Sequence, residues 1–418
     1  MTDAKAKNAK PHRLARMTGR DPSQTGRTAT PLELLFDLAF VVAFGQASDQ
    51  VAHAVSEGHS ASGILAFLFA ILATCWAWIN FSWFASAYDT DDWFYRVTTM
   101  VQMIGVVVFA LGIPTFFSSL EEGGHVDNTV MLAGYVIMRV ALVCQWLRAA
   151  NQDPGRRPTA LTYAAIVGIA QAGWVGLTIL RLDTVPFFTI AVVLFLIEAV
   201  GPVIAERKSD GTPWHPHHIA ERYGLFAIIS LGEGIFGTVA AVSTLVQEKG
   251  WSPEAVLIVV AGVGITFGLW WSYFIMPSGR ILEKFRGRAF LFGYGHIPVY
   301  ASIVATGAGL HVAAYVIEGE AEIDEAGAIL AVALPVLVFS ISLFTLYTFL
   351  LRRFDPFHIA LFLGTVAMLV LAVWLANSGA SIGLCLLIIT LSPTVFVIGY
   401  ETLGYRHQKE ALEEILGV

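Results

Sequence analysis

Twelve apolar stretches follow one another along this chain, each long enough to cross a lipid bilayer. A membrane-spanning helix needs about 20 mostly apolar residues, because the hydrocarbon core is about 30 Å thick. Hydrophobic residues occupy 56% of the 418 positions and charged residues only 14%, a balance that soluble domains do not show. The sequence therefore predicts an all-α integral membrane protein. The predicted spans are 31–54, 61–84, 97–118, 129–149, 158–180, 184–204, 218–245, 254–276, 288–313, 326–350, 357–377 and 380–401.

Basic residues indicate the direction in which these spans run. With the N-terminus inside, 21 of the 25 lysines and arginines fall in inner segments or at inner span ends. Only Arg181 and Lys249 fall in outer loops. Cytoplasmic loops of membrane proteins carry such an excess of Lys and Arg. We therefore expect both termini to be cytoplasmic.

The first thirty residues differ from everything that follows. Residues 1–30 are basic and polar, are rich in Pro, Gly and Thr, and contain no apolar core. They are therefore not a signal peptide. We predict a disordered tail on the cytoplasmic side, which acts as a topology signal or a loose lipid contact and not as a nucleic-acid arm.

The rest of the chain reads as two copies of one unit with six spans. Matching landmarks recur at offsets of 190 to 202 residues, in the pairs Phe36 and Phe226, 82–84 and 272–274, Asp153 and Asp355, and Trp174 and Trp374. An even number of spans in each copy predicts parallel repeats, related by an axis along the membrane normal. Such a pair can enclose a pathway or form a solid bundle. The predicted boundaries are a tail at 1–30, a first repeat at 31–207, a cytoplasmic linker at 208–217, a second repeat at 218–406 and a cytoplasmic C-terminal tail at 407–418.

Two carboxylates stand where the first span begins, in "TPLELLFDLAFVVAFGQ". Pro31 marks a helix start, and an acidic side chain in the first turn complements the helix dipole. The dipole accounts for Glu33 but not for Asp37, which lies one turn further into the span. The corresponding level of the second repeat carries Arg222, and we expect Asp37 to meet it at the repeat interface.

The seventh span carries a carboxylate deeper in the bilayer. Glu221 and Arg222 begin this span, and Glu233 follows eleven residues after Arg222, about 16 Å along a helix. An intramembrane ionisable residue is a candidate functional site by default. The alternative is a structural pair or a protonated packing residue. His296 in the ninth span titrates near neutral pH, so it is a further candidate for a proton pathway.

An acidic segment, "YDTDDWFYR", follows the second span on the cytoplasmic side. It contains the cluster Asp89, Asp91, Asp92 and Arg96. We favour helix capping and ion pairing for this cluster over cation binding, because the spacing of a calcium loop is missing.

A second polar segment, "WHPHHIAE", leads into the seventh span. His217 and His218 lie four and three residues before Glu221, which is within reach of one metal ion if the helix begins at His217. The signal is weak, because histidines before a helix are often interface residues. No nucleophile elbow, phosphate loop or dinucleotide fingerprint occurs. We therefore expect neither an enzyme nor a bound cofactor.

Three blocks together carry a resemblance to a known family: "PLELLFDLAFVVAF", "WAWINFSWFASAYDTDDWFYR" and "PWHPHHIAERYGLFAIISLGE". They resemble the bacterial low temperature requirement protein A (LtrA) family over nearly the whole chain after the tail. The resemblance implies a multi-pass protein of the bacterial plasma membrane that is linked to growth in the cold. It implies no particular biochemical activity.

A fainter resemblance is to the lysosomal potassium channel family and its bacterial relatives, which are also built as two six-span repeats. The first span of those channels opens with Arg-x-x-x-Phe-Ser-Asp. Here "ELLFDLAFVVA" lacks the Ser between Phe36 and Asp37, and in the second repeat Phe226 is followed by Ala227 and Ile228. These departures leave the ion filter of the channels without a counterpart in this sequence.

Three functional hypotheses follow. The first is a secondary transporter of a cation or of a proton-coupled small solute, supported by Asp37, Glu233 and His296. The second is a passive cation channel, supported by the fainter resemblance. The third is a membrane scaffold or sensor that transports nothing, in which the polar residues would be structural. The expected partners are the lipid bilayer and a small cation or proton, and a homo-oligomer is left open.

Overall fold

A computed structural model describes residues 14–352 and 356–416 as an all-helical protein. The described part of the chain contains no strand, apart from one isolated bridge between His125 and Asp183. The α-helices in chain order are α1 (Pro31–Ser56), α2 (Ser60–Tyr88), α3 (Trp93–Leu111), α4 (Ile113–Glu121), α5 (Thr129–Gln152), α6 (Arg157–Ile179), α7 (Thr184–Glu206), α8 (Pro216–Lys249), α9 (Pro253–Phe274), α10 (Ser278–Lys284), α11 (Ala289–Glu318), α12 (Glu325–Leu351), α13 (Pro356–Asn377), α14 (Ile382–Gly399) and α15 (Tyr405–Leu416).

Twelve helical segments of the described residues are long and apolar enough to cross a membrane, which confirms the prediction of twelve spans. The third span is built from two helices, α3 and α4, which meet at Gly112. A Cβ atom at Gly112 would lie 2.3 Å from the backbone nitrogen of Met131. The glycine is therefore required where this break packs against the start of α5.

Two helices occupy the centre of the bundle. In the most apolar windows of the spans that contain α2 and α11, 72% of the residues are buried, against 28% for α7 and α13. The outer helices expose large apolar side chains such as Val185 and Ile179. These exposed residues occupy membrane-spanning helices, so they face lipid.

The helices of the two halves pack in similar orders. In the first half α1 packs on α2 and α3, and in the second half α8 packs on α9 and α11. Where the halves meet, α1 and α2 both contact α8 and α11. The halves also differ, because α14 packs closely on α9 whereas Trp76 of α2 reaches Glu198 of α7 through a hydrogen bond. The two-repeat arrangement stays a prediction, and Asp355 of one matched pair lies outside the described residues.

The prediction of a disordered N-terminal tail is wrong for residues 14–30, which pack against one end of the bundle. Met17 is completely buried, and Arg27 donates hydrogen bonds to the carbonyl groups of Ala85 and Ser86 at the end of α2. Basic side chains commonly bind the free carbonyl groups at a helix C-terminus. Composition alone does not reveal this packing of residues 14–30. Residues 1–13 lie outside the described residues.

The C-terminal residues form a helix and not an irregular tail. A short π-helical turn at Tyr400–Gly404 leads from α14 into α15, which ends at Leu416. Residues 417–418 lie outside the part that the structure describes.

Candidate functional site

A buried group of charged side chains lies where α1 meets α8. The Arg222 guanidinium lies 2.5 Å from Asp37 Oδ1 and 3.1 Å from Glu33 Oε1. One turn earlier on α8, His218 Nε2 lies 3.2 Å from Glu33. All four side chains are completely buried. We call Glu33, Asp37, His218 and Arg222 the α1–α8 cluster, and it contains the contact between Asp37 and Arg222 that the sequence predicted.

Local sequence explains how α1 presents two carboxylates on one face. Thr30 and Glu33 form a capping box: the Glu33 amide donates to Thr30 Oγ1 at 3.3 Å, and the Thr30 amide donates to Glu33 Oε2 at 2.7 Å. Pro31 occupies the first helical position, where proline is favoured. Glu33 thus caps the helix and also faces Arg222. Asp37 follows one turn later, where α1 needs no cap.

Neighbouring side chains complete only part of the cluster. The Trp78 indole donates to Asp37 Oδ1 at 2.7 Å, and Arg222 donates to Ser82 Oγ at 3.2 Å. Glu33 Oε1 and Arg222 Nη1 form an ion pair at 3.1 Å, so the cluster atoms that remain without a hydrogen-bond or ion-pair partner among the described residues are Asp37 Oδ2, His218 Nδ1 and Arg222 Nε. Leaving a buried polar group unpaired costs about 1–3 kcal/mol. The cluster therefore has unused capacity to bind a proton, a cation or water.

The formal charges of the cluster do not balance. Its two carboxylates face one guanidinium, which is always charged. If both carboxylates are ionised and His218 is neutral, the cluster carries one net negative charge. One proton, on a carboxyl group or on His218, brings it to neutrality.

A layer of aromatic rings lies directly beyond the cluster. Phe226, one turn after Arg222, stacks on Trp78 with ring centroids 4.1 Å apart. Its ring also lies 5.2 Å from Phe44 and 5.0 Å from Tyr300. These rings are all buried, and we call Phe40, Phe44, Trp78, Phe226 and Tyr300 the aromatic layer. The layer fills the space between α1, α2, α8 and α11.

A second polar group lies on the other side of this layer. Glu233 is 3% exposed, and its Oε1 lies 3.6 Å from the position that a Cβ atom of Gly45 would occupy. Ser48 lies beside Glu233, and Asp49 on the next position of α1 pairs with His311 of α11 at 3.4 Å. We call Ser48, Asp49, Glu233 and His311 the Glu233 cluster.

Glycines hold α1, α8 and α11 close together around Glu233. A Cβ atom at Gly307 would lie 2.6 Å from the Glu233 backbone, and one at Gly237 would lie 2.5 Å from the Gly307 carbonyl oxygen. A Cβ atom at Gly234 would lie 2.4 Å from Thr266 Oγ1 of α9, whereas one at Gly232 would meet nothing within 4 Å.

Arg222 is not the partner of Glu233. The guanidinium is engaged with α1, as described above, and no ion pair to Glu233 occurs among the described residues. Arg222 cannot pair with both Asp37 and Glu233, because eleven residues of helix separate Arg222 from Glu233, about 16 Å. Glu233 is thus a buried carboxyl group without an ion-pair partner among the described residues.

His296 occupies an aromatic pocket away from both charged clusters. Its Nδ1 lies 2.6 Å from the Phe292 carbonyl oxygen, and its Nε2 lies 2.9 Å from the Tyr273 hydroxyl. A carbonyl oxygen only accepts, so Nδ1 carries the proton and Tyr273 donates to Nε2. Within the described residues, no hydrogen bond or ion pair joins His296 to Asp37 or Glu233. The His296 ring packs against Tyr300 of the aromatic layer, with ring centroids 5.6 Å apart.

The acidic segment after α2 forms caps and ion pairs, as we favoured. Asp92 accepts the Tyr95 amide at the start of α3 and also binds Arg148. Asp91 makes a two-pronged contact with Arg96 at 2.8 Å. Burial tends to raise the pKa of Asp92, but hydrogen bonds from Arg148 and from the Tyr95 amide hold it below its usual value.

Asp89 is the exception within this segment. It lies 3.4 Å from Arg20 and accepts the Asp91 amide at 2.9 Å. Burial, together with the negative charge of Glu33, raises the pKa of Asp89 to about 6. A third carboxyl group therefore lies within electrostatic range of the α1–α8 cluster.

The weak metal prediction placed His217, His218 and Glu221 around one ion, and the structure directs them apart. His217 pairs with Glu283 at 3.0 Å, while His218 points to the buried cluster. Glu221 Oε2 accepts the Ala29 amide at 3.2 Å, which holds the N-terminal segment. No group of three or more His, Cys, Asp or Glu side chains in the described residues is placed to hold a metal ion.

Sequence reasoning missed a second buried ion pair. Arg139 of α5 lies 3.0 Å from Glu198 of α7, and both side chains are buried. The indole groups of Trp76 and Trp174 donate to the two oxygens of Glu198 at 2.5 and 2.8 Å. The available signal was a lone carboxylate in the apolar segment "LFLIEAVGP". We call these four residues the Glu198 cluster.

The fold and these clusters define a multi-span helical membrane protein with ionisable groups buried in its core. The profile described as "Bacterial low temperature requirement A protein (LtrA)" matches residues 28–393. The chain therefore belongs to the LtrA family. It is also 27% identical, over 292 residues, to an uncharacterized protein of Rhizobium meliloti (strain 1021), a match that covers 66% of this chain and 67% of the relative. No solved structure matches the chain significantly.

Proposed function

We propose that this protein is a secondary transporter of a cation or of a proton-coupled small solute in the bacterial plasma membrane. The interface of α1 with α8 forms its pathway. One observation carries the proposal: two clusters of buried ionisable groups lie on opposite sides of an aromatic layer along this interface. A charged side chain at the centre of a membrane helix costs about 2.5–3.5 kcal/mol or more. Two clusters of buried ionisable groups along the interface of α1 with α8 favour a pathway over a solid bundle.

The aromatic layer gives this pathway two separate sides. The Glu233 cluster has one exposed member, because the Asp49 side chain is 53% exposed. The α1–α8 cluster lies on the other side of Phe226 and is closed by the N-terminal segment at Ala29. A site that opens to one side at a time is the property of an alternating-access transporter. In the conformation described here, the α1–α8 cluster is closed on both sides, by Phe226 and by the N-terminal segment.

Charge balance supports a single positive charge as the transported or coupling species. The α1–α8 cluster reaches neutrality by taking up one proton or one monovalent cation. Glu233 also takes up one such charge, because no basic side chain in the described residues neutralises it. Movement of a cation from one cluster to the other requires the rings of Phe226 and Trp78 to separate.

Flux measurements on purified protein in liposomes test this proposal. Gradients of Na⁺, K⁺ and protons are imposed in turn, and internal pH and cation content are followed. We expect flux of at least one species in the wild type and its loss in Asp37→Asn and in Glu233→Gln. Glu198→Gln is the matched control, since it changes a buried carboxylate outside the interface of α1 with α8. Wild-type protein without flux of any small cation or proton would favour the scaffold hypothesis.

A passive cation channel is the second candidate, and the position of Phe226 favours it. Arg222 and Phe226 have the Arg-x-x-x-Phe spacing of the channel family that this chain faintly resembles. The Phe226 ring lies between the two charged clusters, stacked on Trp78. A channel would give single-channel currents in planar bilayers without coupling to pH. A transporter would give proton-coupled flux without unitary currents.

The family name connects its members with growth in the cold, and we propose that transport by this protein supports such growth. The test uses a bacterial strain that lacks its own family member and grows poorly at low temperature. We expect the wild-type gene to restore growth and Asp37→Asn to fail at equal protein level. Restoration by Asp37→Asn would separate the cold phenotype from transport.

A further inference from the structure

An apolar groove of about 390 Å³ runs between α1 and α2 on one side and α11 and α12 on the other. Its walls carry aliphatic and small side chains, such as Val55, Ile64, Ala305, Gly309 and Leu334. None of these residues belongs to the charged clusters or to the aromatic layer. The groove is partly open, and its four walls are membrane-spanning helices, so its opening faces the bilayer.

The groove extends over half of the membrane. On α11 its lining runs from Ala301 to Val312, and on α12 from Gly327 to Val338. Eleven residues of helix correspond to about 16 Å, which is about half of a hydrocarbon core of about 30 Å. The groove therefore has the depth of one leaflet, the one opposite to the side of the termini.

The mouth of the groove lies where two loops meet. The Glu322 amide donates to the Ser56 carbonyl oxygen at 2.8 Å, and this bond joins the α11–α12 loop to the end of α1. Three exposed carboxylates stand at this mouth, on Glu57, Glu322 and Asp324. The loops 57–59 and 319–324 contain no Lys or Arg. The mouth therefore attracts an ammonium group and repels an anionic head group.

We propose that this groove binds one acyl chain of a phosphatidylethanolamine molecule from that leaflet. The depth, the apolar walls and the opening toward the bilayer suit a hydrocarbon chain. A dry apolar cavity of about 150 Å³ already binds benzene, so the larger groove accommodates a longer chain. The acidic mouth selects the ethanolamine head group over phosphatidylglycerol. This proposal does not depend on the proposed transport function.

Native mass spectrometry of the full chain tests the proposal. The protein is purified, stripped of lipid with detergent and titrated separately with phosphatidylethanolamine and phosphatidylglycerol of identical chains. We expect one tightly retained phosphatidylethanolamine per chain and weaker retention of phosphatidylglycerol. Equal retention of the two lipids by the wild type would overturn the choice of head group.

Two variants test the place of binding. Ala305→Phe fills the groove, and we expect it to lower retention of phosphatidylethanolamine by about tenfold or more. Val193→Phe changes a lipid-facing residue of α7 and is the matched control, with retention as in the wild type. If Ala305→Phe does not fold, Ala301→Phe on the same wall replaces it. Undiminished retention in a folded groove variant would overturn the proposed site.

One variant tests the role of the mouth. Glu322→Gln removes an exposed carboxylate and keeps the backbone hydrogen bond to Ser56. We expect it to reduce the preference for phosphatidylethanolamine over phosphatidylglycerol without lowering the number of lipid molecules bound per protein chain. An unchanged preference would contradict the proposed contact between the carboxylates and the ammonium group.

Discussion

Two of the buried ion pairs look alike at first, the one in the Glu198 cluster and the one in the α1–α8 cluster. Each has a fully buried arginine next to an aromatic ring, Arg139 over Tyr135 and Arg222 near Trp78. In each, a tryptophan indole donates to the paired carboxylate. Both arginines also retain nitrogen atoms without a hydrogen-bond partner among the described residues.

The two clusters differ in the state of their carboxylates. Both oxygens of Glu198 accept hydrogen bonds, and one arginine balances one carboxylate. Glu33 and Asp37 share a single arginine, and Asp37 Oδ2 has no hydrogen-bond or ion-pair partner among the described residues. The Glu198 cluster lies within the first half, and the α1–α8 cluster joins the halves. A carboxylate that faces one arginine and has both oxygens hydrogen-bonded suits packing. Two carboxylates that share one arginine where the halves meet suit binding of a positive charge.

The largest expected effect is the loss of stability when the shared arginine is removed. Breaking a buried pair by deleting one partner costs about 3–5 kcal/mol. We expect Arg222→Gln to lower the melting temperature more than Arg139→Gln, because it leaves two carboxylates unpaired and not one. Adding Asp37→Asn should recover much of the loss in the Arg222→Gln background. Thermal unfolding in detergent measures all three, and equal losses for the two arginine variants would remove the distinction.

The next effect concerns transport and separates the clusters by function. We expect Asp37→Asn to abolish flux in liposomes with little change in melting temperature, since an asparagine oxygen still accepts from Trp78. Glu198→Gln should do the opposite. Its amide group would meet the indole N–H donor of a tryptophan, which costs about 1–3 kcal/mol, while flux per folded molecule persists. Loss of flux in Glu198→Gln at full folding would show that both clusters serve transport.

Glu233→Gln gives the third comparison. It contrasts Glu233, which has no ion-pair partner among the described residues, with Asp37 and Glu198, which each pair with an arginine. The change keeps the shape of the side chain and removes its titration. We expect flux to be lost or to become independent of pH, with protein level and melting temperature little changed. Measuring flux and stability on one preparation distinguishes a transport role from a packing role. Full pH-dependent flux in this variant would eliminate Glu233 from the pathway.

The sequence predicted the features that depend on composition and local spacing. Twelve spans follow from apolar length, and the contact of Asp37 with Arg222 followed from the positions of both residues near the start of matching spans. The capping residues around Pro31 have the same local origin. Such features need no knowledge of how distant helices pack.

The features that the sequence did not reveal depend on contacts between distant helices. The partners of Glu198 come from α2, α5 and α6, and no spacing within α7 indicates them. The burial of Met17 depends on the ends of other helices in the same way. His296 looked like a proton carrier because a titratable ring in a span is unusual. Its hydrogen bond with Tyr273 of α9 depends on the packing of distant helices, whereas its bond to the Phe292 carbonyl lies within α11.

The smallest expected effect is a pH dependence of stability that originates at Asp89. Its pKa rises from the usual 3.8 to about 6 in the folded protein, so the folded state binds this proton more tightly than the unfolded state. The resulting stability is fully present below pH 3.8 and is lost as pH rises through about 6. We therefore expect Asp89→Asn to raise the melting temperature near neutral pH and to have no effect in acid. Asp91→Asn, which removes a half-exposed carboxylate from the same segment, is the control.

The same titration reports the charge of the α1–α8 cluster from outside the membrane. The negative charge of Glu33 contributes to the raised pKa of Asp89, so Glu33→Gln should move the midpoint of this stability change to lower pH. Glu198 pairs with Arg139 in a separate cluster, and Glu198→Gln should leave the midpoint in place. The midpoint is read from the difference in melting temperature between each background and the same background with Asp89→Asn. An identical midpoint in both backgrounds would mean that Glu33 carries no negative charge in the folded protein, and the α1–α8 cluster would then be as balanced as the Glu198 cluster.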